Sequence, residues 1–259
     1  MTHNNKVALV TGAGSGIGRA TALGLSKAGV KIGLVDLKDD RLENVKKEIL
    51  DSGGEAIFTD TDVSDPKRVE QSVKEIFEEW NRIDYVFANA GINGTVSPIE
   101  DLSPEDWDQT LSTNLKSTFL TVKYTIPHLK KRGGSIVITS SINGNRKFTG
   151  FGMSAYSSSK AAQVAFGKMA ALELAQYNIR VNIICPGGIE TNISQNTFVE
   201  KTKLDKIKIP IVYPQGNHPL GHRSGKAEEV ASLVQFLLSD QSHHITGTEI
   251  YIDGAESLL

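Results

Sequence analysis

TGAGSGIG (residues 11–18) follows directly on the apolar run Val7-Ala8-Leu9-Val10 and places four glycines in eight residues. The spacing is Gly12-x-x-x-Gly16-x-Gly18, not G-x-G-x-x-G. A strand that runs into a glycine turn and opens a helix near Ile17 brings free backbone N–H groups and a positive dipole end to one point, which suits a pyrophosphate. Glycine keeps side chains out of the approach. The same turn can also serve tight strand-to-helix packing, so its neighbours decide between the two uses. Asp36 closes the next apolar run, about 20 residues on, where a carboxylate can take the hydroxyls of an adenosine ribose. Capping a helix is its alternative use.

Working outward, short apolar runs alternate with longer amphipathic ones. Residues 6–11, 31–36, 55–60, 84–90, 135–141, 179–185 and 248–253 read as strands. Several are near-continuous Val/Ile/Leu, as in parallel strands covered on both faces. Asp65-Pro66 and Ser103-Pro104-Glu105-Asp106 are helix starts with proline in the first turn, and Gly53-Gly54 and Gly133-Gly134 are stops. The alternation predicts an α/β fold: a doubly wound parallel sheet of the Rossmann type, about seven strands, helices on both faces, one domain over 1–259. Residues 186–225 break the pattern with Pro186, Pro210, Pro214 and Pro219 and five glycines. So long a connection, leaving the carboxyl end of a strand and resisting regular packing, predicts a substrate-binding lid over about 190–225.

Composition excludes several classes. The 259 residues carry a formal net charge of −2, which offers no basic excess for nucleic acid or an anionic membrane surface. No stretch approaches the roughly 18 apolar residues of a membrane span, and MTHNNKVALVTG lacks the apolar core of a signal peptide. A cytoplasmic protein is expected. The lone Cys185 excludes an internal disulfide and reads as an inert core thiol. His218 and His222 have H-x-x-x-H spacing, but Pro219 and Gly221 oppose a helix presenting both, and His243-His244 lacks nearby carboxylates, so no metal is expected. There is no G-x-S-x-G elbow for a hydrolase. Lys201, Lys203, Lys206 and Lys208 read as a solvated face, and Phe148, Phe151, Met153, Phe198 and Tyr213 as an apolar-walled substrate site.

Tyr156 and Lys160 are four apart and share a helix face. Free tyrosine, with a pKa of about 10, is a poor base at neutral pH. A nearby ammonium favours phenolate, and lowering the pKa two or three units takes roughly 3–4 kcal/mol. Lys160, together with a positive nicotinamide ring, is expected to supply it. Ser141 closes the fifth strand and offers a hydroxyl to a substrate oxygen. Asn114 is polar within an apolar helix face of Leu111, Leu115 and Phe119. Each alone has a plainer reading: a buried-face tyrosine with a surface lysine, or a helix-bending asparagine.

Together, TGAGSGIG, Asp62-Val63, Asn89-Ala90-Gly91, Asn114, Ser141, Tyr156-x-x-x-Lys160 and Pro186-Gly187 resemble, in this order and over about 6–254, the short-chain dehydrogenase/reductase family. Gly12-x-x-x-Gly16-x-Gly18 is that family's form of the phosphate turn. The resemblance implies an NAD(P)-dependent oxidoreductase, usually a homotetramer, interconverting a secondary alcohol and a ketone. It implies a catalytic set of Asn114, Ser141, Tyr156 and Lys160. It implies cofactor contacts from Gly12, Ser15, Gly16, Ile17 and Gly18, from Asp36, from Asp62 and Val63 near adenine, and from Asn89, Ala90 and Gly91. Tyr156, Lys160, Pro186 and Gly187 complete the set, with Ile189 and Thr191 near the nicotinamide carboxamide. Asp36, with Ser15 and Leu37 where a compensating arginine would stand, predicts NAD(H) over NADP(H); Lys38 and Arg41 are the nearest cations.

The chain departs from the family pattern at Ala88, where a second asparagine is common, and at Asp253-Gly254-Ala255, where Asp-Gly-Gly is usual. A longer Ser141-to-Tyr156 interval leaves Ser140 as the alternative hydroxyl. A 3-oxoacyl-thioester (acyl carrier protein) reductase would share fold and tetrad, and a non-catalytic dinucleotide sensor the fold alone.

Overall fold

The computed structural model describes residues 5–37, 40–214 and 216–259. All five side chains of β1 (Val7–Thr11) are buried. β2 (Lys31–Asp36), β3 (Ala56–Asp60), β4 (Tyr85–Ala88), β5 (Gly134–Thr139), β6 (Ile179–Pro186) and β7 (Glu249–Ile252) complete one seven-stranded sheet in the order β7-β6-β5-β4-β1-β2-β3. Every pairing is parallel. The order reverses between β1 and β4, which opens a crevice at their carboxyl ends. The register sets Val10 beside Phe87, so the glycine turn and Asn89-Ala90-Gly91 emerge next to each other.

Helices cover both faces. α1 (Gly16–Lys27), α2 (Asp40–Asp51) and α7 (Ala227–Leu238) bury Leu25, Leu42, Val45 and Val234 against Ile32 and Leu34. α3 (Pro66–Trp80), α5 (Ser117–Leu129) and α6 (Ser154–Leu174) bury Val73, Ile76, Leu120 and Ala170 against Leu9 and Ile136. Each large aliphatic side chain so buried contributes about 1.5–3 kcal/mol. The predicted caps form. Asp65 Oδ1 accepts from Lys67 N at 2.9 Å, and Ser103 Oγ accepts from Asp106 N at 3.1 Å at the head of α4 (Pro104–Leu111).

Three local features differ from expectation. β4 and β5 end early because their last residues find other partners: Asn89 N and Ala90 N donate to Thr11 Oγ1, and Ser141 Oγ accepts from Asn143 N at the start of a 3₁₀ turn over Ile142–Gly144. Between α4 and α5 the helix widens into a π turn over Ser112–Lys116. Ser117, Thr118 and Gln163 side chains donate to the Asn114 carbonyl there, so the lost α-helical bond is replaced. The apolar face expected around Asn114 is not a core face, since Phe119 is exposed. Finally, the 190–225 segment is partly ordered by pairing. Ile189–Glu190 pairs with Gly225–Lys226, Thr197–Val199 pairs with Gly94–Val96, and 205–214 and 216–224 are the long stretches without regular structure. Among the described residues no helix is long and apolar enough to cross a membrane.

Candidate active site

A cleft of about 730 Å³ runs from the glycine turn across the β1/β4 switch point to the loop after β6. Gly12 has φ +65°, and a Cβ there would stand 3.0 Å from Asn89 Nδ2, so the turn can lie this close to β4 only without a side chain. Gly18 packs against the Gly12 carbonyl beneath the turn, and Gly16 packs against Thr191, itself a cleft residue, whereas Gly12, Ser15 and Ile17 line the cleft directly. Ser15 caps α1 without a side-chain bond, and no acidic residue stands in the first turn, which leaves that helix start suited to an anion.

Asp36 lines one end. Its Oδ2 accepts from Gly14 N at 2.9 Å and its Oδ1 from Leu37 N at 2.8 Å, which fixes the carboxylate at the rim of the turn. Asp62 and Val63 line the same end. Arg41 also lines it and donates to Gln195 Oε1 at 3.2 Å, reaching across to the 190–225 segment. Lys38 lies outside the described residues. Asn89, Ala90 and Gly91 form the middle of the cleft, with Asn89 Oδ1 accepting from Thr139 Oγ1. Pro186, Gly187, Ile189 and Thr191 line the far end.

Tyr156 and Lys160 sit one turn apart on the buried face of α6, 8% and 4% exposed. Lys160 Nζ donates to the Thr139 carbonyl at 2.9 Å and lies 5.6 Å from the Tyr156 ring centroid. The two serines divide their roles by direction. Ser140 Oγ donates to the Lys160 carbonyl at 2.8 Å, while Ser141 hydrogen-bonds the Tyr156 phenol. Asn114 stands behind the cleft rather than in it: Oδ1 accepts from Ile92 N at 2.8 Å, and Nδ2 donates to Ile92 O at 2.9 Å and to Ser159 Oγ at 3.0 Å.

Burial acts on the pair in opposite senses, because it favours the neutral form of each. It pushes the Tyr156 phenol up, and the Ser141 hydrogen bond pulls it partly back. It pushes Lys160 down to about 8, partly offset by Cys185. The lowered tyrosine pKa expected from the sequence is therefore not a property of the protein alone. Cys185 itself is buried and raised to about 11 by burial, which makes it a poor nucleophile.

The apolar wall expected from five loop side chains is a misreading. Phe148 and Phe198 are 69% and 63% exposed, and of the five only Met153 lines the cleft. The cleft wall is mixed, with Asn93, Gln109, Asn143 and Glu256 set among Ile92, Ile142, Met153 and Ile193. Sequence reasoning missed all four polar residues. Glu256 carried the one visible signal, an acid in an otherwise apolar terminal stretch. His218 Nδ1 lies 3.7 Å from Glu256 Oε2, and among the described residues no group of three His, Cys, Asp or Glu could hold a metal ion.

The donor set fits a dinucleotide: an open helix start for the pyrophosphate, a carboxylate at one end, and a buried tyrosine–lysine pair at the other. An open parallel sheet with such a cleft at its switch point defines a Rossmann-type dinucleotide-binding fold. Comparison with known proteins agrees. The family model described as enoyl-(acyl carrier protein) reductase matches residues 12–255. Cyclohexanol dehydrogenase of Acinetobacter sp. strain SE19 is 37% identical over 97% of this chain and 95% of its own. Levodione reductase of Leifsonia aquatica is 36% identical over 98% and 94%. The crystal structure of a 3-ketoacyl-ACP reductase from Sinorhizobium meliloti 1021 superposes with a TM-score of 0.92 at 46% identity, covering 97% of this chain and 99% of that one. The chain belongs to the short-chain dehydrogenase/reductase family of oxidoreductases. Members of this fold have been solved holding NAD or NADH.

Proposed function

We propose that the protein is an NAD(H)-dependent dehydrogenase that interconverts a small secondary alcohol and its ketone. The observation that carries this is the Tyr156 phenol, hydrogen-bonded to Ser141 and stacked one helical turn from Lys160, at the end of a cleft that begins on the glycine turn. When bound, the dinucleotide supplies the hydride acceptor or donor and, in its oxidised form, a positive ring beside the phenol.

The chain's own residues do the rest. Gly12, Ser15, Gly16, Ile17 and Gly18 hold the pyrophosphate at the start of α1. Asp36 takes the adenosine ribose hydroxyls, and Asp62 and Val63 border adenine. Asn89, Ala90 and Gly91 support the middle, and Pro186, Gly187, Ile189 and Thr191 hold the carboxamide end. Ser141 orients the substrate oxygen, and Tyr156 takes or returns the proton at that oxygen. The Lys160 ammonium favours the phenolate and so works against the burial that raises it. Asn114 positions Ile92 and Ser159 around them. The 190–225 segment is the lid that excludes water from the closed site.

NAD(H) is the preferred cofactor because a 2′-phosphate would meet the Asp36 carboxylate. Exposed Met169 and Leu172 on α6, with Phe119 on α5, support helix-to-helix contact between copies in a cytoplasmic homotetramer. A monomer in sedimentation at micromolar concentration would remove that part. An absorbance screen of secondary alcohols and ketones with both cofactors tests the activity, and silence across the screen refutes it. Similarity to the Sinorhizobium protein favours a second reading, 3-oxoacyl-thioester reduction, which the same screen examines with an acyl thioester.

A further inference from the structure

Among the described residues Glu256 is the one carboxylate of the cleft besides Asp36 and Asp62, and the alcohol–ketone mechanism gives it no task. The segment after β7 turns back on itself as Asp253 accepts from Ala255 N at 3.1 Å and Ser257 N at 2.9 Å. That turn delivers Glu256, 8% exposed, to the cleft that Ser141 and Tyr156 also line. Its Oε2 accepts from Gly188 N at 2.7 Å, and its Oε1 lies 3.2 Å from Lys147 Nζ. A Cβ on Gly187 would stand 2.7 Å from Oε2, so the carboxylate rests directly on the turn that follows β6.

Two further observations define what this wall can accept. Lys147 is 6% exposed and also donates to the Glu256 carbonyl, and His218 Nδ1 lies 3.7 Å from Oε2, so the basic groups at this wall are already directed at Glu256 rather than at an anionic substrate. Asn143 stands two residues beyond Ser141. Among the described residues its carboxamide has one contact, Nδ2 to Met153 Sδ at 3.8 Å, and a thioether is a weak acceptor. Closing a hydrocarbon against Asn143 would leave its carboxamide without a good partner, at roughly 1–3 kcal/mol. A carboxylate has lone pairs left after two bonds, and a carboxamide both donates and accepts, so each can serve a hydroxyl.

We propose, on the alcohol–ketone reading above, that the substrate is a small neutral polyhydroxy alcohol or the matching hydroxyketone, with a second oxygen beside the reacting carbon held by the Glu256 carboxylate and the Asn143 carboxamide. Glu256 and Asn143 are then specificity-determining residues.

The test compares cyclohexanol, the 1,2-cyclohexanediols and a cyclohexanehexol, each with NAD+ and with NADP+. At least one diol or hexol exceeds cyclohexanol tenfold or more in kcat/KM. Asn143→Ala cuts that preference at least fivefold. So does the double variant Lys147→Met/Glu256→Gln, which removes both charges and leaves neither buried alone. Cyclohexanol used as well as the polyols, or a preference that survives both variants, overturns the inference and leaves the dehydrogenase reading standing. If no alcohol or ketone reacts with either cofactor, the dehydrogenase reading fails, and calorimetric titration of the Tyr156→Phe protein in NADH decides the wall by itself. Tighter binding of a polyol than of cyclohexanol there supports it, and equal or absent binding overturns it.

Discussion

The Lys160 ammonium donates to the Thr139 carbonyl at the last residue of β5, across 2.9 Å, and this bond ties the N-terminal third of α6 to the edge of the cleft. It holds a buried cation in place beside Tyr156, with Cys185 rather than a carboxylate as its electrostatic neighbour.

The first consequence concerns stability. Lys160 falls from 10.5 to about 8 in the folded protein. Between those values the unfolded chain keeps a proton that the folded protein has released, so stability rises with pH across that window and is lowest below about 8. The gain is on the order of 3 kcal/mol. Urea melts of the native protein and of Lys160→Met, from pH 7 to 10.5, should diverge in that sense. Parallel curves would show that Lys160 titrates normally.

Tyr156→Phe removes one hydroxyl from a buried ring. General acid–base groups supply about 10²–10⁴-fold, so kcat should fall by about that factor. NADH affinity, followed by protein fluorescence, should stay within about twofold. Near-normal turnover would take Tyr156 out of the proton path.

Asp36 is fixed at the rim of the turn by Gly14 N and Leu37 N, and the proposed function sets it against the adenosine ribose. Like charges about 4 Å apart cost roughly 1 kcal/mol in water and 4 near a protein surface. The ratio of kcat/KM for NAD+ over NADP+ should then be about ten- to several-hundred-fold. Asp36→Ala should narrow it by improving NADP+. Equal values in the native protein would mean that Asp36 serves only the loop.

The 190–225 segment is pinned at Thr197–Val199 and at its base, so if it acts as the proposed lid, 205–214 and 216–224 are the parts expected to open. Limited proteolysis should cut there first and slow when cofactor and substrate are both present. First cuts in another segment, indifferent to ligand, would describe a rigid cover.

Much of this was legible in the sequence because the signals are local. Strand runs, proline-bearing helix starts and the four-residue spacing of Tyr156 and Lys160 each depend on a few neighbouring residues. The π turn at Asn114 was not legible, because it depends on donors such as Gln163, which lies 49 residues away. Glu256 reaches the cleft only through folding of β7 and the turn behind it. The aromatic side chains failed as wall residues for the same reason: Phe148 and Phe198 are apolar by type, but the loop path points them outward.

The close packing of Gly16 against Thr191, where a Cβ would stand 3.1 Å from Thr191 Cγ2, has a kinetic consequence. Thr191 of the proposed lid packs on the phosphate turn, and Asn192, Ile193 and Asn196 of the same segment line the cleft. On the proposed function, a dinucleotide seated there would be enclosed by the same cover that admits the alcohol. Addition should therefore be ordered, cofactor before alcohol, and release should run in reverse. NADH would then compete with NAD+ yet not with the alcohol, and the slow event of each cycle would be departure of the dinucleotide from under its roof.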